Sequence, residues 1–544
     1  MLLAALSTIA WVPAADAAKR TVCTITVNSP NEKETFRRYL PHDEYDFVEL
    51  VERGRPDWLA SACRQGVRCD VLVISGHFNG NEFFSDRLDL SEYLPVAELE
   101  RASCNSTCSG LFSQLKEVHL FGCDSLNAEA SKDPPAEIVR SLLRSGHSRT
   151  DAERIARDLT VRHVESNRDV MRRIFKKVPA IYGFSSAAPV GALSASYLTR
   201  YFQSGGRAEV GTGRPNSRLP NYFTTNSMTI ARGLNDGDPR FAHRAEVCEF
   251  VDERLSRAQA LGVIHKTLRR EMAEARMHFE RIESFMASLD ENARQSPAVA
   301  NALDEIERDR DARTRYLAFA RDADHPSIHA RMIDVARNLG WLSPAEYAAE
   351  RNDLVAGLLA KSAMSPADVD LICRLNDGHA LDAVLERALP SPVAARRIDQ
   401  AAALACLGSA DDHARMLAAL TSPVLQDVQL AEVYFQHHPI TDVQELRVVA
   451  KGIARMSGSE AQVRALQTLA RHYVTDGESL AELTRLYELA QSVTVQRAIA
   501  GILIRSDRNA LASADLVRVL RERRLKSPDA ADIIDILLRR LQAS

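Results

Sequence analysis

Short apolar runs that stop abruptly set the rhythm of the first two hundred residues. Thr21-Val22-Cys23-Thr24-Ile25-Thr26-Val27 alternates, and Phe47-Val48-Glu49-Leu50-Val51 does so less regularly. Val71-Leu72-Val73-Ile74, Val118-His119-Leu120-Phe121 and Val178-Pro179-Ala180-Ile181-Tyr182-Gly183-Phe184 are continuous runs that break at glycine. Such runs, rich in β-branched residues, read as strands buried on both faces of a parallel sheet. Between the runs lie stretches of helical period: Glu32 to Tyr39, Pro56 to Cys63, the charged segment Pro135 to Lys177, and Val190 to Phe202. Strands alternating with helices predict a three-layer α/β domain over residues 20–213.

The pattern then changes. Residues 214–241 are rich in Pro, Gly, Asn, Ser and Thr without periodic apolar positions, and read as a loop or linker. Over residues 242–390 long helical patterns carry Glu and Arg at spacings that suit solvated faces. In residues 391–544 helix openings recur at Ser391-Pro392, Ser422-Pro423, Gly458-Ser459 and Gln491-Ser492. A period of roughly 30–40 residues made of paired helices predicts an all-α helical repeat, a solenoid whose concave face suits a protein partner. The repeat resembles degenerate HEAT repeats. A plain helical bundle is the alternative that a loose repeat leaves open.

Composition narrows the partners. A formal net charge of -4 gives no electrostatic basis for a nucleic-acid or anionic-membrane partner. Leu2 to Val12 is apolar but too short to span a bilayer, and Ala15-Asp16-Ala17 offers a small-residue cleavage site. Residues 1–17 therefore read as a secretion signal whose charged start lies upstream, or else as a buried N-terminal segment. With a signal, the mature protein is secreted or periplasmic and has no membrane span.

The nine cysteines are an odd number, so at least one is free or bonded to another chain. Cys63 and Cys69 form one close pair, Cys104 and Cys108 another. Such pairs make short-loop disulfides in oxidising compartments, and four cysteines can instead hold a structural zinc. The spacings are not two-residue knuckles, which favours disulfides. Cys123 is then the unpaired thiol of the region, and Cys23 has no assigned partner. Cys248, Cys373 and Cys406 fall in helical patterns and read as small buried side chains. No cofactor and no metal is called for.

Two strand ends carry the candidate chemistry. The third run leads into Ser75-Gly76-His77, and the fourth into Gly122-Cys123-Asp124-Ser125. Open α/β sheets bind ligands at the carboxyl ends of their strands, so His77 and Cys123 pair as base and thiol nucleophile. A strand ending at a histidine beside glycine, a second ending at Gly-Cys, and a third ending in glycine before a proline and a helix resemble the caspase-fold cysteine peptidases. Within that clan the chain is most similar to the CHAT group, whose nucleophile follows a strand as small residue, Cys, any residue, Ser or Thr. Gly122-Cys123-Asp124-Ser125 fits this pattern; Gly76 precedes His77 where the family places a glycine after the histidine.

The resemblance implies a Cys-His dyad that cleaves peptide bonds in a polypeptide substrate. The amides at Gly76 and at Gly122-Cys123 are the expected oxyanion donors. The segment after the third strand, with Gly183, Ser185 and Ser186, is the expected substrate pocket. A following helix N-terminus and the imidazolium would favour the thiolate. The rival reading is a catalytically inactive caspase-like domain joined to a helical scaffold, acting as a binding protein. His119 reads as packed inside its strand, His147 and His163 as solvated, Asn79 and Asn81 as turn residues around Gly80, and Asp124 as a helix cap or a neighbour that repels the thiolate.

Overall fold

The computed structural model describes residues 19–542 apart from 28–29, 51–58, 86–92, 106–107, 130–135, 164, 224–226, 239, 253, 379–380, 382–383, 386–391, 393–395, 458–459, 473, 507–510, 512–513 and 527–531. The expected signal and the repeat openings at Ser391 and Gly458-Ser459 lie outside the described residues. The chain divides into two compact units, one up to Tyr316 and one from Leu317.

Strands of the first unit are β1 (Arg20–Thr26), β2 (Tyr45–Glu49), β3 (Val71–Ser75), β4 (His77–Phe78), β5 (Glu82–Phe84), β6 (Tyr93–Pro95), β7 (Glu117–Phe121), β8 (Ala180–Phe184) and β9 (Met228–Ala231). Six of them form one sheet in the order β2-β1-β3-β7-β8-β9. The pairings from β2 to β8 are parallel, and β9 runs antiparallel to β8. The stretch expected to be a loop after residue 213 thus supplies an edge strand. Four residues paired on one side only give too little alternation to register as a sequence pattern.

Alternate residues of the central strands serve two cores, as the two-residue period requires. Leu72, Ile74, Val118, Leu120 and Ile181 pack under the helices Val96–Cys104, Ser109–Ser113 and Asn167–Ile174. Val71, Val73, Ala180, Tyr182 and Phe184 pack with Phe36, Leu198 and Phe202, on the helices Asn31–Tyr39 and Gly191–Gln203. His119 faces this second core, 2 % exposed, stacked on Tyr182 at 4.8 Å with Phe36 edge-on at 5.1 Å. Burial pushes the Tyr182 phenol up to about 12, against the Asn216 N–H it accepts at 2.9 Å.

Three disulfides lace the first unit: Cys23–Cys69, Cys63–Cys108 and Cys104–Cys248. All four cysteines of the expected close pairs are oxidised, but neither Cys63–Cys69 nor Cys104–Cys108 forms. Cys69 lies just before β3, which pairs alongside β1, so its sulfur meets Cys23. Cys63 meets Cys108 because the short helices Ala60–Arg64 and Ser109–Ser113 pack together. The bonded sulfurs exclude the cysteine zinc site. Cys123 is the one free thiol.

The second unit is helical. Within it, Ala410–Leu420, Val443–Arg455, Gly477–Leu489 and Ala514–Glu522 contact in succession as one row; Ile398–Cys406, Leu425–His437, Glu460–Leu469, Val493–Leu503 and Ile533–Gln542 form a second. The openings at Ser422 and Gln491 fall just before helices of the second row. Gln462 and Gln496 occupy equivalent places in consecutive helices of that row. Gln462 donates to Ile453 O and Met456 O at 2.9 Å, and Gln496 to Arg523 O at 2.7 Å and Tyr487 O at 3.3 Å. Each thereby donates to carbonyls at helix C-termini. A fourth disulfide, Cys373–Cys406, joins the helices Pro366–Leu375 and Ile398–Cys406, where buried thiols were expected.

Candidate active site

Ser75 at the end of β3 lies opposite Phe121 at the end of β7. The next residues, Gly76-His77 and Gly122-Cys123, therefore leave the sheet side by side. Their backbones come too close for side chains: a Cβ on Gly122 would lie 2.7 Å from Phe78 Cβ, 3.0 Å from Phe83 and 3.1 Å from Gly76 O. A Cβ on Gly76 would meet Val27 Cβ at 3.1 Å. The two glycines let neighbouring strand ends bring a histidine and a cysteine together.

His77 does not lie in an irregular connection. It opens β4, which pairs antiparallel with β5 in a three-stranded sheet with β6, and Phe84 stands opposite it with ring centroids 5.5 Å apart. The β4–β5 turn is held by Asn79 Oδ1, which accepts from the Asn81 and Glu82 N–H groups at 3.0 Å, with Gly80 at φ 96°. Asn79 and Asn81 serve the turn, as the sequence suggests.

Cys123 begins a turn, and no helix follows directly. Asp124 has φ 54°, and Asn127 Nδ2 donates to its Oδ1 at 3.2 Å. Asn167 Nδ2 donates to Asp124 O at 2.9 Å, and the Asp124 N–H to Ser186 O at 2.8 Å. Ser125, fully buried, accepts the Phe184 N–H at 3.2 Å, and the Leu126 N–H donates to Phe184 O at 2.8 Å. The small residue two after the cysteine thus joins the turn to β8. Cys123 Sγ accepts the Ala188 N–H at 3.3 Å.

His77 and Cys123 line one cleft of about 190 Å3 with Glu32, Gly76, Phe121, Gly122, Ala188, Pro189, Val190 and Gly191. Of the expected pocket residues, Gly183 is buried, with a Cβ position 2.8 Å from Ser125 Oγ and from Leu126 Cγ. Ser185 donates both N–H and Oγ–H to Ser227 O at 3.1 Å. The cleft wall is formed farther along, by residues 188–191. Gly76 gives its N–H to Phe121 O at 3.2 Å, which occupies one of the expected oxyanion donors.

Glu32 went unnoticed in the sequence. It sits in the first turn of the helix after β1, 3 % exposed, and β1 pairs with β3. Strand order, which a lone sequence does not carry, brings it to the His77 end of the sheet. His163, expected on a solvated face, is half-buried against His243.

The chain matches no known family profile, no curated protein and no solved structure.

Proposed function

We infer that the first unit is a caspase-fold, CHAT-like cysteine peptidase domain that cleaves a polypeptide through Cys123 and His77. The second unit is read as a HEAT-like solenoid that holds a protein partner or the substrate. The supporting observation is the convergence of His77 and Cys123, from adjacent strand ends, on one cleft. Four disulfides suit a protein that works in an oxidising compartment, outside the cytosol.

In this reading His77 takes the Cys123 thiol proton, and the sulfur attacks the scissile carbonyl carbon, forming a C–S bond as the carbonyl π pair becomes an oxyanion. His77 delivers a proton to the amine as the C–N bond breaks, leaving a thioester. It then takes a proton from water, whose oxygen attacks the thioester carbon; the C–S bond breaks and the thiol returns. With the Gly76 amide committed to Phe121, oxyanion stabilisation falls to the Cys123 amide, a donor worth about 3 kcal/mol. Glu32 is a buried carboxylate lining the same cleft as His77, and in this reading it orients the imidazole. The wall at residues 188–191, without charged side chains, suits a small neutral residue before the cut.

The deciding experiment is alkylation of the native chain by a peptide-like electrophile, with Cys123 followed by mass spectrometry. Cys123 reacting no faster than in denatured protein, with no change on His77→Ala, rejects the peptidase and leaves the binding scaffold.

A further inference from the structure

The first unit holds a second cluster of chemically capable side chains that the dyad does not use. His163 ends the helix Arg149–His163. His243 and Glu246 lie three apart, hence on one face of the helix Phe241–Phe250. His278 sits between the helices Met272–Met277 and Phe279–Ser288. We propose that His163, His243, His278 and Glu246 form a site for a divalent transition-metal ion of the zinc type.

The distances suit such an ion. His163 Nδ1 and His243 Nδ1 are 3.1 Å apart, and Glu246 Oε2 lies 3.8 Å from both His243 Nδ1 and His278 Nε2. One ligand atom from each of His163, Glu246 and His278 falls within 4.8 Å of the other two. On tetrahedral zinc, with bonds of about 2.0–2.2 Å, neighbouring ligand atoms are separated by roughly 3.3 Å. The shorter and longer spacings here bracket that value, and rotation of His278 closes the rest.

Hydrogen bonding supplies the independent argument. His243 and His278 are 1 % and 3 % exposed, and the buried Glu246 Oε2, 3.8 Å from His243 Nδ1 and from His278 Nε2, has no hydrogen-bond partner among the described residues. Buried polar atoms are nearly always satisfied, and an orphan carboxylate oxygen set among three imidazoles marks a missing partner. Three imidazoles and a carboxylate fit a cation, and nitrogen-rich sets of this kind favour zinc.

The surroundings support the same assignment. Glu165 Oε2 lies 3.6 Å from His243 Nε2, and Arg173 Nε holds that carboxylate at 2.9 Å and 3.0 Å. A carboxylate behind a ligating histidine fixes its tautomer and leaves the other nitrogen, here Nδ1, to bind metal. Cys104–Cys248 and the bond from Arg244 Nη2 to Ser103 O, at 2.8 Å, hold the helix that carries two of the ligands. Four protein ligands close the coordination shell, so the ion would tie three helical segments together and perform no chemistry.

The test uses the full disulfide-bonded chain carrying Cys123→Ser, so that the free thiol cannot bind metal. After chelation and dialysis it is titrated with Zn2+ and, separately, with Co2+, followed by visible absorption. One equivalent per chain, the intense absorption of tetrahedral cobalt and a rise in Tm with Zn2+ are expected. His278→Asn and His163→Asn, which keep a hydrogen-bonding side chain, abolish the cobalt spectrum, and Glu165→Gln weakens zinc by about 10–100-fold. No stoichiometric binding by the parent chain overturns the site, as does an unchanged cobalt spectrum in His278→Asn. Circular dichroism of the metal-free variants separates ligand loss from unfolding. None of these readouts depends on peptidase activity.

Discussion

Ala188 donates its backbone N–H to Cys123 Sγ across 3.3 Å. The Cys123 side chain is thereby held between two strand ends: its backbone continues β7, and its sulfur accepts a hydrogen bond from the segment that follows β8. That segment also walls the cleft, so whatever displaces residues 188–191 displaces the thiol.

Cys123→Ala should abolish peptide cleavage, while His77→Ala should lower kcat/KM by about 10²–10⁴-fold, the usual range for a lost general acid–base. Both are read on a peptide library with the purified chain. Glu32→Gln, which preserves shape but removes charge, should lower kcat with little change in KM.

Gly122→Ala should be damaging beyond its size. The added methyl group meets Phe78 and Phe83 at 3.0 Å or less, and neither can retreat without opening the core around β5. A destabilisation of about 1–3 kcal/mol is expected from overpacking, seen in urea unfolding, together with loss of alkylation at Cys123.

Cys104–Cys248 closes the longest disulfide loop, with a sequence separation of 144. Replacing both cysteines by alanine should cost about 2–5 kcal/mol. Hydrogen exchange should place the loss at the helices Val96–Cys104 and Phe241–Phe250, with the second unit unchanged.

The helical unit should weaken in acid. Burial works against the charged form of Asp532, but the Arg497 guanidinium at 2.8 Å and the Ile534 N–H outweigh it and hold the carboxyl below its ordinary value of 3.8. A depressed folded value contributes stability above the unfolded value and loses it as pH falls through the folded one. Melting curves from pH 6 downward should show the loss begin near pH 4. Asp532→Asn should be less stable at pH 6 and flatter below it.

The strand pattern was readable because β3 and β7 are buried on both faces, which leaves the apolar runs Val71-Leu72-Val73-Ile74 and Val118 with Leu120-Phe121 at their centres. The glycines that end them are legible for the same reason: the close approach of two backbones excludes a side chain. What escaped depends on neighbours distant in the chain. Glu32 reaches the cleft through the order β1-β3-β7, and His163 is covered by a helix eighty residues later. β9 was hidden because a short edge strand needs no apolar alternation. The pairing of Cys63 and Cys69 failed because nearness in sequence is not nearness of sulfur atoms once each segment is committed to a different packing partner.

The disulfide connectivity also bears on how the chain reaches its native state. Cys63 and Cys69, like Cys104 and Cys108, are separated by a few residues, and short loops close with the least entropy loss. Loop closure alone thus favours non-native pairs early in oxidation, while none of the three native bonds of the first unit is local. Any such pair is resolved by thiol–disulfide exchange, in which a thiolate attacks an existing bond. An oxidant alone would trap it; an isomerase or a thiol buffer would release it. Cys123, the one thiol left out of the four bonds, is an internal source of that exchange while the other pairs form.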